Sequence, residues 1–295
     1  MQALTSLLVV VPTPDHDLAA HRAASLAASH GARLHLFEPS DSSPTTAHRD
    51  LRSLAHDLAR VHGLAEVAVL RQPWASLVEA SADHDLLVVG TGPQGWRGLR
   101  WRAVRAHLAR QARCPLLLAR RPPALPYARA LVPVDLSHRT VPMLRALNLL
   151  ADGAQTHLMH MLSPDDTSLM RTVDVPEWVI RKHRAEQEAL ARTAMAQAHE
   201  LAGLRGPAPE LHVHPSTHLL EALLRLQQAL RADLVVVAKR RASAMADMMF
   251  DSLALKLLTR ATADVLLLPP ACTAPRTDLA PALVGGPASI AKKSA

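Results

Sequence analysis

Three glycines, Gly90, Gly92 and Gly95, follow an apolar run in HDLLVVGTGPQGWRGLRW, His84 to Trp101, and lead into a basic segment of helical character. A strand, a tight glycine-rich turn and a helix start are how α/β proteins hold phosphate, because backbone N–H groups there can point at anionic oxygens. Pro93 stands within the turn and has no N–H to offer. Asp135, Ser137 and His138 fall close together after a second apolar run. Such a set could move protons, but it serves equally well as a turn and helix cap. No Gly-x-Ser-x-Gly elbow of a serine hydrolase occurs.

Seventeen histidines invite a metal reading. His157 and His160 take opposite faces of an expected strand, while His212 and His214 share one, and neither pair has a third ligand at metal-binding spacing. The sequence therefore assigns no metal site and reads these as surface or sheet-end histidines. Arg97, Arg100, Arg102, Arg105, Arg110 and Arg113, then Arg120 and Arg121, form a basic stretch. They fall on several sides of a 3.6-residue helix, which predicts a solvated arginine-rich face. Cys114, ahead of Pro115, reads as a buried small hydrophobe.

These residues are carried by a pattern that runs through the chain twice. SLLVVVP is answered by RALVPVDLS, HGARLHLF by DGAQTHLMHM, DHDLLVVG by RADLVVVA, and QARCPLLLAR by ATADVLLLPP, in the same order. Four matched landmarks point to internal duplication. In the first half, strands are expected near 7–12, 32–37, 66–70, 84–90 and 115–120, with helices near 17–30, 47–62, 72–82 and 99–112. The second half repeats this with strands near 130–135, 155–161, 209–214, 233–238 and 264–268, and helices near 140–151, 176–203, 216–231 and 245–260. Near-continuous apolar strands alternating with helices predict parallel sheets covered on both faces.

The predicted domains are 1–122 and 128–270, with a disordered tail at 271–295. The second carries about 26 extra residues, assigned to a loop and a long helix from about Pro176. On that helix Trp178, Ile180, Leu190, Met195 and Leu201 are expected to cover a sheet.

At 295 residues and 49% hydrophobic content the chain can build substantial cores. Two cysteines do not make a disulfide framework, and no apolar run is long enough to cross a bilayer, so a cytoplasmic protein without a membrane partner is expected. The net charge of +7 favours anionic partners. The 2% aromatic content argues against a nucleic-acid stacking platform.

The order and double occurrence of LVPVDLS, DLLVVGT and ARCPLLLARR resemble the universal stress protein family in its tandem form. The resemblance runs from Leu4 to Pro269. It implies an adenine nucleotide alpha hydrolase-like α/β fold with two similar open five-stranded parallel sheets flanked by helices. The two domains are expected to pair within the chain, with a homodimer as a further assembly. It also implies ATP or another adenine nucleotide as the candidate cofactor, held by an acidic residue after the first strand and a Gly-x2-Gly-x9-Gly-Ser/Thr loop after the fourth.

Under that resemblance the first half offers Gly90, Thr91 and Gly92, with Pro93 at the second glycine position. The second half offers Asp135, Lys239, Arg240, Arg241 and Ser252, with Asp251 at the third glycine position. These departures predict a non-enzymatic stress-response protein that acts through an unidentified protein partner or by sensing a small anion. Slow ATP hydrolysis and accessory nucleic-acid binding are the alternatives.

Overall fold

A computed structural model describes residues 4–11, 18–40, 51–92, 95–123, 126–162, 170–215, 218–238 and 253–269. The expected tail at 271–295 and the start of the helix expected from 245 lie outside them. In chain order the strands are β1 Ser6–Val10, β2 Arg33–Pro39, β3 Val67–Gln72, β4 Leu86–Gly90, β5 Leu116–Ala119, β6 Arg129–Pro133, β7 Gln155–Leu162, β8 Glu210–Pro215, β9 Leu234–Ala238 and β10 Asp264–Leu268. Their spatial order is β3-β2-β1-β4-β5-β10-β9-β6-β7-β8. Each half is thus a five-stranded parallel sheet of order 3-2-1-4-5, as the alternating pattern required.

The two last strands, β5 and β10, join antiparallel and make one ten-stranded sheet. Leu117 faces Leu266 across this junction. The registers place Leu116 beside Leu87 and Val265 beside Val235, so Leu117 and Leu266 occupy equivalent depths and mark the pseudo-twofold axis.

Central strands β1, β4, β5 and β10 are buried along their whole length, which is why they read as unbroken apolar runs. One face of the sheet is covered by α1 Leu18–His30, α2 Leu51–His62, α5 Thr140–Ala151 and α6 Glu177–Ala202. The other is covered by α3 Leu77–Ala80, α4 Gly95–Gln111, α7 Leu219–Leu230 and the helix 253–260, named α8. Each fully buried Leu or Val contributes about 1.5–3 kcal/mol. α1 turns Ala19, Ala20, Ala23, Ala24 and Ala27 inward, so it packs close to β1 and β4.

The repeated aspartates have a structural duty. Asp85 accepts hydrogen bonds from the Thr5 N–H and hydroxyl (both 2.7 Å) and from the Ser6 N–H (3.1 Å). Asp233 accepts from the Ala128 and Arg129 N–H groups at 2.8 and 2.9 Å. In each half a carboxylate ahead of the fourth strand caps the start of the first. Burial alone would raise the Asp85 pKa, but the Thr5 and Ser6 hydrogen bonds bring it below its ordinary value.

Three expectations need correction. The helix expected at 72–82 is a short α-turn between two 3-10 turns, Trp74–Ser76 and Ser81–Asp83, because only Leu77, Ala80 and Ser81 are buried there. On α6, Ile180 and Met195 are buried, but Trp178, Leu190 and Leu201 are 63%, 63% and 46% exposed. The buried stripe toward its C-terminal end is Ala191, Met195, Ala198 and Ala202, at helical spacing on small residues that let α6 approach α5 and the sheet.

The arginine-rich face is not wholly solvated either. Arg105 is buried at 7% exposure and its Nη1 donates to the Leu258 carbonyl (3.4 Å), where Arg120 Nη2 also donates. Both guanidiniums sit near the C-terminal end of α8, where the helix dipole is negative. Burial, then the neighbouring Arg120 and Arg102, pushes the Arg105 pKa down to about 10, so it stays charged near neutrality. Arg102, Arg110, Arg113 and Arg121 do face solvent. Cys114 is buried as expected.

Candidate functional site

In a 3-2-1-4-5 sheet the chain reverses direction of winding between strands 1 and 4, leaving a crevice at their carboxyl ends. In the second half that place lies between β6 and β9. Among the described residues a crevice occupies it, walled by Pro133, Met143, Leu219, Val237, Leu253 and Leu267. Asp135, Arg139 and Thr140 from the β6–α5 connection also line it, as does Arg110 from α4 of the first half. An apolar floor with a few polar groups suits a small molecule that has a flat ring and a charged end.

The β6–α5 connection explains how Asp135 comes to the rim. Leu136 has φ of 56°, unusual for a bulky side chain. Its side chain packs against the core, which offsets the backbone strain and leaves Asp135 exposed. The Ser137 N–H donates to Asp135 Oδ1 (3.0 Å), fixing the turn. Thr140, 2% exposed, opens α5; its buried hydroxyl has no hydrogen-bond partner among the described residues. An orphaned buried hydroxyl in a crevice wall is a group that a ligand can satisfy.

The first half is different at the same place. The Trp101 indole, 5% exposed, lies over the end of β4 and donates from Nε1 to the Gly90 carbonyl (3.0 Å). A Cβ on Gly92 would fall 1.8 Å from Trp101 Cδ1, and Gly92 has φ of +76°. Trp74 packs on Trp101 with ring centroids 6.3 Å apart, and Phe37 on Trp74 at 5.8 Å. Gly90 and Gly92, two of the residues assigned from sequence, thus both lie against Trp101.

Of the residues assigned from sequence in the second half, Asp135 is at the crevice, while Lys239, Arg240, Arg241, Asp251 and Ser252 lie outside the described residues, as does Pro93. Sequence reasoning missed Thr140 and Arg139, though both follow directly on the Asp135 turn. It also missed Arg110, which no local signal could reveal because it arrives from the other half.

The histidines are also less scattered than expected. His35 pairs with His84 (2.7 Å), His21 with His62 (3.1 Å) and His157 with His212 (3.3 Å). Burial is the leading cause that lowers the pKa of His35, His62, His157, His199 and His212. In the unfolded chain each titrates near 6.5. Below that pH the unfolded state binds more protons, so their contribution is present above about pH 6.5 and is lost as pH falls through the lower folded values. The melting temperature is expected to be lower at pH 5 than at pH 7.5, checked by calorimetry; an unchanged value would contradict the burial of these rings.

The repeated strand order and the switch-point crevice define a tandem, Rossmann-like α/β protein. Residues 126–269 match the family model described as the universal stress protein family.

Solved structures agree on the fold. A functionally unknown protein from Pseudomonas aeruginosa PAO1 is 20% identical, covering 90% of this chain and 93% of that one with a TM-score of 0.62. A putative universal stress protein from Pseudomonas aeruginosa UCBPP-PA14 gives 21%, 90%, 94% and 0.61. A universal stress protein from Archaeoglobus fulgidus DSM 4304 gives 14%, 90%, 96% and 0.59. No curated protein matches the chain. Among the described residues no helix is long and apolar enough to cross a membrane.

Proposed function

We propose that this is a non-enzymatic stress-response protein that senses a small anionic ligand in the second-half crevice, with an adenine nucleotide as the first candidate, while the first half acts as scaffold. The observation that carries this reading is the crevice with Asp135 at its rim and the unpartnered Thr140 hydroxyl in its wall. An apolar floor between Met143, Leu219 and Val237 suits an adenine-sized ring. Asp135 can accept from ribose hydroxyls, and Arg139 and Arg110 supply positive charge at the rim.

Calorimetric titration of the full chain with ATP, AMP and a cyclic dinucleotide tests it. At least one is expected to bind with micromolar affinity, and Asp135→Ala is expected to weaken that binding by about tenfold, or ~1.4 kcal/mol. Silence for all three ligands, or equal affinity in the variant, would refute the reading.

A further inference from the structure

We propose that His157, Glu210 and His212 form a binding site for one divalent transition-metal ion of the zinc class, on the outer edge of the sheet and separate from the crevice. The three residues come from adjacent strands. In the β7–β8 register His157 lies opposite Glu210, and His212 is the diagonal neighbour on the same face. One ligand atom from each lies within 4.8 Å of the others.

The distances are those that an ion requires. With Zn–N of about 2.0–2.1 Å and Zn–O of about 2.0–2.2 Å, tetrahedral ligand atoms sit about 3.3–3.5 Å apart. His157 Nδ1 is 3.3 Å from His212 Nε2 and 3.3 Å from Glu210 Oε2. The third edge, His212 Nε2 to Glu210 Oε2, is 4.0 Å, and the Glu210 side chain, 56% exposed, is free to close it. A direct hydrogen bond favours about 2.9 Å, shorter than any of the three.

The other half provides an internal comparison. His35 holds the position equivalent to His157: each sits beside the matching residue of its half's first strand, Leu8 and Leu131. Yet His35 meets His84 at 2.7 Å, and His84 passes the chain on to the Ala80 carbonyl at 2.7 Å. Among the described residues no carboxylate is hydrogen-bonded into that relay, and Glu66 acts on His35 through its charge alone. His157 has kept its position, but its neighbours have become a spread set of three ligands.

His157 is 2% exposed, and its Nε2 has no partner, so all its polar contacts pass through Nδ1 on the Glu210 and His212 side. Arg129 and Arg192 are the nearby opposing charges, and Arg192 is engaged by Glu188 at 2.9 Å. With three protein ligands, water completes the tetrahedron. The ion would fasten the edge strand β8 to β7.

Zinc titration of the full chain against a chromophoric chelator, with cobalt absorption as a report of tetrahedral geometry, tests the site. One equivalent is expected to bind at micromolar concentration or below and to raise the melting temperature. Glu210→Gln and His212→Ala, both at partly exposed positions, are expected to lose about tenfold or more in affinity, whereas His84→Gln should bind as the parent does. The proposal is overturned if the parent binds no zinc up to about 100 µM, or if Glu210→Gln and His212→Ala bind as tightly as the parent.

Discussion

Replacing Asp264 by alanine is expected to remove about 3–5 kcal/mol of stability, because it leaves buried cations without their counter-charge. Asp264 is fully buried at the start of β10 and gathers the joint between the halves. Its Oδ2 lies 3.1 Å from Arg22 Nε and accepts from the Tyr127 hydroxyl at 2.7 Å, while its Oδ1 accepts from the Arg120 and Arg121 N–H groups at 2.8 and 3.0 Å. Arg22, on α1, is 2% exposed, and its guanidinium also stacks 4.7 Å from the centre of the Tyr127 ring. Burial, followed by the Asp264 charge, holds the Tyr127 phenol well above its ordinary pKa, so it remains a donor.

Denaturant unfolding of parent and variant would give the difference, with separate transitions for the halves as a second sign of a broken joint. The double variant Arg22→Met, Asp264→Leu removes the Arg22–Asp264 pair and is expected to recover only part of the loss, since the Tyr127 hydroxyl and the Arg120 and Arg121 N–H groups still lose their acceptor. If the single variant loses less than about 1 kcal/mol, the carboxylate is not what holds the joint.

Removing Trp101 is expected to have a comparable effect. Trp101→Ala is expected to lose about 3–5 kcal/mol through a cavity and the freed Gly90 carbonyl. Gly92→Ala is expected to be strongly destabilising in the parent, since its Cβ would enter the indole. With Trp101 already replaced, the same substitution should cost only the positive-φ strain of about 1–2 kcal/mol. That difference is a coupling energy measurable in a double-mutant cycle. Equal costs in the two backgrounds would mean that the ring does not lie over Gly92.

The fold was legible because each central strand is buried on both faces and must therefore be an uninterrupted apolar run, as LLVVG and LVVVA are. The duplication was legible through Asp85 and Asp233, although their role at the first strands was not. What escaped were contacts between distant segments. Arg105 and Arg120 look like surface arginines until α8 is laid against them.

At the crevice, Asp135 could be read from its place after β6. Trp101, which lies against Gly90 and Gly92, stands in α4 beyond the glycines and carries no motif. His157, Glu210 and His212 are invisible in any one segment. Only the register of two parallel strands brings them together.

The antiparallel meeting of β5 and β10 also sets a stoichiometry. Two separate chains joined along such an edge would part on dilution, but within one chain the effective concentration of one half for the other is in the millimolar range whatever the abundance of the protein. The half that carries the crevice and the half that carries Trp101 over β4 are therefore always present one to one. Under the proposed function, the number of ligand sites follows the number of chains made, not their tendency to meet.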